Sequence, residues 1–352
     1  MLTSILLIFA GALVFAISAT PVARWLAPRV GVIDQPSTRK VHTRPMPRLG
    51  GIAIFLAFIL ALVLFENQFN FQQLAGILIG ASFVSFLGIW DDRWGLRPIL
   101  KLIGQIFGAL ILVATNVHTE LFPWPMLDVA LTVFWVVGIT NAFNLLDNMD
   151  GLSGGVGAMA ALFFTLLAAM SRPPQVLVAA LSAALFGVCI GFLIYNFNPA
   201  TIFMGDAGAM FIGYILAAIG IKLRFLGNPT FVTWMIPVMV LGAPIFDTTL
   251  VFVSRLRRGL NPFTTPGKDH TSHRLVAMGF TQREAVLILY LVSGAFGVVA
   301  MFITQADVIE SYILGSIVFI ASLVGLIQLE RRWTTAPAPT STTEKPDAPK
   351  PS

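Results

Sequence analysis

The carboxylates of this chain fall into a few tight groups, and those groups define the chemistry open to it. Asp91 and Asp92 are adjacent in DDRWGLRPILK (91–101), which ends on Lys101. Asn141, Asn144, Asp147 and Asp150 recur every three residues in NAFNLLDNMDGLSGG (141–155). Asp206 lies in NFNPATIFMGDAG (196–208). SRLRRGLNPFTTPGKDHTSHRL (254–275) gathers Arg257, Arg258, Lys268, His270, His273 and Arg274. Neighbouring carboxylates repel and need cations or a shared proton. Spacing by three puts polar groups on one side of a helix, which is costly at membrane depth unless they meet a cavity, an ion or other polar groups. Asp and Asn oxygens among Lys and Arg, with no Cys ligand, describe a hard-cation site. Mg²⁺ suits it best, with Mn²⁺ as substitute, because Mg²⁺ keeps its waters and binds through one or two carboxylates plus substrate phosphates. The expected chemistry is therefore work on a diphosphate.

Each group also has a plain reading. Asp91 and Asp92 could be solvated acids at a helix end, and Asp206 an ordinary helix cap. The basic segment RKVHTRPMPRLGG (39–51) could anchor on anionic lipid or hold substrate phosphates. Two histidines near each other can suggest zinc, but no third soft ligand accompanies His270 and His273. The glycines at 151, 154, 155 and 157 lack the preceding strand and following Lys-Ser/Thr of a phosphate loop, so close helix packing is their expected use. Asp247, inside the apolar run APIFDTTLVF, is either functional or a structural partner for Lys101 or an Arg.

The elements that must position these groups are membrane helices. Of 352 residues, 57% are apolar and 11% charged, with mean hydropathy +0.84, whereas a soluble domain has roughly 25% charged residues. The expected fold is all-α and polytopic, with eleven spans near 3–23, 50–66, 73–90, 99–115, 127–145, 152–170, 175–194, 207–222, 230–252, 285–303 and 311–329. With the N-terminus outside, nineteen of the 22 Lys and Arg fall on the cytoplasmic side, leaving Arg172, Lys222 and Arg224 outside. The net charge of +5 thus reports orientation in a membrane and not a nucleic-acid partner. The first run has no basic residue before Pro21 and reads as a retained helix. A single cysteine, Cys189, excludes an internal disulfide and a thiolate cluster. One catalytic membrane domain, 1–333, precedes a Pro/Ser/Thr-rich tail, 334–352, with the composition of disorder.

Four of these segments, DDRWGLRPILK, NAFNLLDNMDGL, NPATIFMGDAG and the loop ending in DHTSHRL, appear in order between about Arg39 and Leu275. They resemble the successive motifs of the polyprenyl-phosphate N-acetylhexosamine-1-phosphate transferases of the MraY/WecA type. The resemblance implies that Asp206 and Asn144 hold Mg²⁺ against the diphosphate of a UDP-N-acetylhexosamine. It implies that Asp91 and Asp92 serve the phosphate of undecaprenyl phosphate, with Asp91 as base, and that Lys101 neutralises phosphate charge. Asp147, Asp150 and Asn198 would line the nucleotide pocket, and His270, His273 and Arg274 would bind phosphate or sugar. One departure stands out: the family's last loop commonly reads His-x-His-His, and here Ser272 replaces the middle histidine.

RLRRGLNPF and the compact last loop resemble the UDP-GlcNAc branch more than the branch using UDP-MurNAc-pentapeptide. The implied product is a lipid-linked sugar diphosphate for cell-envelope polysaccharide, made on the cytoplasmic face of a bacterial inner membrane among membrane lipids. A homodimer is one allowed assembly. The rival class is a cation- or proton-coupled transporter, for which only Asp247 speaks, since transport sites lie near the midplane on broken helices and often within repeats.

Overall fold

The computed structural model describes residues 2–36, 44–64, 71–225, 228–265 and 267–335. Arg39, Lys40 and the tail beyond 335 lie outside the described residues. Among those described, the elements run α1 (Leu2–Leu26), β1 (Ile33–Asp34), β2 (Met46–Pro47), α2 (Gly50–Val63), α3 (Phe71–Trp94), α4 (Pro98–Ala114), α5 (Pro125–Leu146), α6 (Leu152–Met170) and α7 (Val176–Asn196). They continue with α8 (Gly205–Lys222), α9 (Thr230–Val240), α10 (Gly242–Arg257), α11 (Thr271–Ala277), α12 (Gln282–Ile303) and α13 (Val308–Thr335). The fold is an all-α, multi-pass membrane architecture with one minimal ribbon, in which Ile33 and Asp34 pair antiparallel with Pro47 and Met46.

Ten of the eleven expected spans each coincide with one described helix, with 65–66 of the second outside the described residues, but not all are alike. Eight described helices are long and apolar enough to cross a bilayer, and α9 and α10 qualify only as a pair bent by 76°. Helices α2 and α4, of 14 and 17 residues, are shorter. At 1.5 Å per residue α2 covers about 21 Å, less than the roughly 30 Å hydrocarbon core. The uninterrupted span expected over 230–252 is thus corrected to two helices meeting at Leu241. Pro244, in the first turn of α10, has no N–H to return to Val240, and a Cβ on Gly242 would sit 2.5 Å from the Phe296 ring.

Helix α8 forms the axis of the bundle and is buried along almost its whole length, while α13 lies outermost. Small residues let neighbours reach the α8 backbone: a Cβ on Gly51 would lie 2.2 Å from the Gly208 nitrogen, and one on Gly88 2.5 Å from Ala207. Outward-facing Phe134, Leu291, Ile309 and Phe319 are mostly exposed, as expected for a surface solvated by acyl chains. Contacts define two ends. At one, Glu120 pairs with Arg224 at 2.7 Å. At the other, Gly50 and Gly51 donate backbone hydrogen bonds to Phe203 and Met204 of 3.0 and 2.9 Å, and Phe203 donates to Pro47. That second end gathers the polar motifs.

Candidate active site

Four helix ends and one loop converge there. Asp91 and Asp92 lie in the last turn of α3, Lys101 in the first turn of α4, Asn144 in the last turn of α5, and Asp206 in the first turn of α8. Lys101 ties them together: its Nζ donates to Asp91 Oδ2 at 2.9 Å, to Asn144 Oδ1 at 2.8 Å, and to Asp206 Oδ2. On the opposite side of Asp206, Arg48 donates from Nη2 to Oδ1 at 2.9 Å and from Nε to Asp92 Oδ1 at 3.0 Å, with Asp34 at 3.8 Å. Arg48 is central, yet the sequence offers it only as one base of a loop. The ribbon β1–β2 and the backbone bonds from residues 47–51 to 203–204 deliver it, and those long-range pairings leave no local signature.

The two adjacent aspartates separate by function. Asp92 is 1% exposed at its side chain and accepts the backbone N–H groups of Asp206 at 2.9 Å and Ala207 at 3.1 Å. It is the anion at the α8 N-terminus. Gly205, at φ +68°, completes this joint, because a Cβ there would lie 2.5 Å from Asp92 Oδ2. In this structure Asp92 is engaged in fixing Asp206, and Asp91 has the freer carboxylate. Asp91 accepts from Leu96 N–H at 2.6 Å and from Lys101, and its side chain is 15% exposed.

The expected polar stripe from Asn141 to Asp150 also breaks. Helix α5 stops at Leu146, the Asn148 side chain donates to Leu145 O at 2.8 Å, and Gly151 takes φ +78°. Asn141 turns to Gln105, Asn144 to Lys101, and Asp150 to the 198–200 loop, accepting from Asn198 Nδ2 at 3.1 Å and Ala200 N–H at 3.0 Å. Asp150 and Asn198 thus hold each other. Asp147 makes no hydrogen bond to the described residues and faces the cluster. Burial, with Asp206, Asp92 and Asp150 nearby, outweighs the pull of Arg48 and pushes its carboxyl up to about 8.

The last loop lies beside this turn. Ser272 donates to Asn148 Oδ1 at 2.6 Å, so a neutral hydrogen bond occupies the place of the missing histidine. His273 is half-buried, 6.1 Å from the His270 ring centre, and burial together with His270 and Lys268 lowers it to about 4, which leaves the ring neutral near pH 7. Arg274 is 2% exposed and is bound to Asp269 O at 2.8 Å and Glu330 Oε2 at 2.9 Å. In this structure it braces α11 against α13. Asp247 meets neither Lys101 nor an Arg; its partners are His270 and Thr271.

The acceptor atoms gathered at Lys101 are hard oxygens. Among the described residues no three carboxylate, histidine or cysteine side chains enclose an ion unaided. A cation carrying water and phosphate oxygens needs only one or two protein ligands, and Asp206, Asn144 and the unbonded Asp147 carboxylate fit that demand.

Residues 74–224 match the model of glycosyl transferase family 4. A Bacillus subtilis protein named "Probable undecaprenyl-phosphate N-acetylglucosaminyl 1-phosphate transferase" is 36% identical over 313 residues, 86% of either chain. The chain belongs to glycosyl transferase family 4. More precisely, it is one of the family's polyprenyl-phosphate N-acetylhexosamine-1-phosphate transferases of the MraY/WecA type. A Mycobacterium tuberculosis relative named "Decaprenyl-phosphate N-acetylglucosaminephosphotransferase" is 34% identical over 89% of this chain and 86% of its own. "Undecaprenyl-phosphate alpha-N-acetylglucosaminyl 1-phosphate transferase" from Yersinia pestis is 26% identical over 92% and 90%. The glycosyl transferase family 4 match contains Asp91, Asp92, Lys101, Asn144, Asp147 and Asp206, whereas Arg48, Asp247 and His270 fall outside it.

Proposed function

We propose that this chain transfers N-acetylglucosamine 1-phosphate from UDP-GlcNAc to undecaprenyl phosphate and releases UMP. The observation that carries the reading is the junction of Asp91, Asn144 and Asp206 on the Lys101 ammonium, in a chain whose relatives are named for this transfer. A lipid phosphate oxygen forms a bond to the sugar-bearing phosphorus, the bond from that phosphorus to the bridging oxygen breaks, and UMP carries that oxygen away. One phosphoanhydride replaces another, so no ATP is needed.

Asp91, the freer acid, takes the proton of the attacking phosphate. Lys101 and Arg48 offset charge on phosphate oxygens as they pass from Asp206 to substrate. Asp206 and Asn144, with Asp147, are the residues that would hold Mg²⁺, which supplies Lewis-acid stabilisation of the phosphate oxygens when bound. His270, His273 and the 147–150 turn face the nucleotide sugar. An apolar cavity of about 630 Å³ runs along α5, α8, α9 and α10, from Glu120 and Arg224 to Ala142, one turn from Asp147; its lining suits an isoprenoid chain. The density of basic residues at the site's end supports a cytoplasmic active face.

Purified protein with undecaprenyl phosphate, Mg²⁺ and UDP-GlcNAc should yield lipid-dependent UMP, with UDP-MurNAc-pentapeptide as the competing donor. Asp206→Ala should lower the rate by roughly 10³-fold. Absence of UMP with either donor would sink the reading, and a near-normal Asp206→Ala rate at limiting Mg²⁺ would remove Asp206 from the metal site.

A further inference from the structure

Asp247 is used by none of these steps, yet it sits in α10 with 2% of its surface exposed. A carboxylate buried in that way is costly unless its oxygens are hydrogen-bonded. Both are: Oδ2 lies 2.8 Å from His270 Nδ1 and Oδ1 accepts the Thr271 N–H at 2.7 Å. Leaving α10, the chain folds back so that the last loop rests on its own preceding helix. Asp269, held by Arg255 at 3.0 Å and by Arg258, braces the loop on one side of His270. Ser272, bonded to Asn148, fixes it on the other, beside Asp147.

The imidazole is thus clamped through one nitrogen only. Nε2 makes no hydrogen bond to the described residues and is not among the sealed, unpartnered polar atoms. The carboxylate accepts, so Nδ1 carries the proton, and the free nitrogen is the one on offer to a ligand.

We propose that Asp247 is a positioning residue, holding His270 with Nδ1–H committed so that Nε2 is presented to the oxygens of the nucleotide sugar. Nε2 accepts from a sugar hydroxyl or, when protonated, donates to a phosphate. The proposal rests on the transferase reading above.

The test uses the full chain in detergent with UDP-GlcNAc, undecaprenyl phosphate and Mg²⁺. Asp247→Asn, whose amide can donate to Nδ1 and reverse the tautomer, should lower kcat about 10- to 100-fold while KM for UDP-GlcNAc moves less than about 3-fold. In a His270→Gln background the same change should cost less than about 3-fold, because nothing remains to be positioned. A wild-type rate for Asp247→Asn, or equal losses in both backgrounds, overturns the proposal. Should Asp247→Asn not fold, ¹⁵N-histidine NMR of the wild-type protein decides: a histidine signal lost in His270→Gln must carry its proton on Nδ1, and an Nε2–H tautomer there overturns the pairing. That measurement needs no turnover. An inactive wild-type enzyme therefore counts against the transferase reading alone, while the NMR result still judges Asp247.

Discussion

Asp147 shows how much of the site's behaviour resides in single residues. Its carboxyl is pushed up to about 8 by burial and by the neighbouring acids, above the roughly 3.9 of an unfolded aspartate. The folded state therefore binds the extra proton between these values, and stability falls as pH rises from about 4 to 8. Asp147→Asn should melt about 2–4 °C above wild type at pH 8 in EDTA, with the gain shrinking as pH falls toward about 4, as thermal denaturation would reveal. At this scale the sequence is a good guide to residue type and a poor one to pairing. Lys101, Asn144 and Asp206 come together as their motifs suggest, because each lies within a turn of a helix end. Nothing in DDRWG distinguishes Asp91 from Asp92; the difference arises when α8 docks its N-terminus on one of them. Likewise nothing near Arg274 in the sequence announces its pairing with Glu330, 56 residues later.

Among elements, the helices are legible because lipid demands long apolar runs with internally satisfied backbones. What the pattern hides is where they stop or bend. Helix α5 ends five residues before Gly151, so a three-residue spacing that looks like one face becomes four separate directions. The glycines following that turn do pack helices, as their context suggests: a Cβ on Gly155 would lie 1.9 Å from the Tyr290 ring, whose hydroxyl donates to Gly151 O at 2.6 Å. Gly155→Ala should destabilise the protein by about 1–3 kcal/mol through overpacking of α6 against α12, and a second change, Tyr290→Ala, should recover part of the loss. Thermal melts of the two variants check this. The break between α9 and α10 is similarly invisible to hydropathy, since both halves are apolar.

For the molecule as a whole, the two ends differ in charge and role. With the basic end inside, cysteines placed at Lys268 and at Pro174 should be modified by a membrane-impermeant maleimide from opposite sides of sealed vesicles; the native Cys189 is buried and stays silent. Labelling of both from one side would abolish the proposed arrangement, and labelling with the two sides exchanged would reverse it. The ion-paired cluster at the end that holds Arg48 and Lys101 limits what can enter it. Asp91, Asp92 and Asp206 are paired with Arg48 and Lys101, so within this paired group the acids outnumber the bases. A bare diphosphate would meet repulsion at close range. If the site takes a nucleotide sugar as proposed, one that arrives with a counter-ion screening its diphosphate would meet less repulsion than a bare one, and the occupancy of the two would then be coupled.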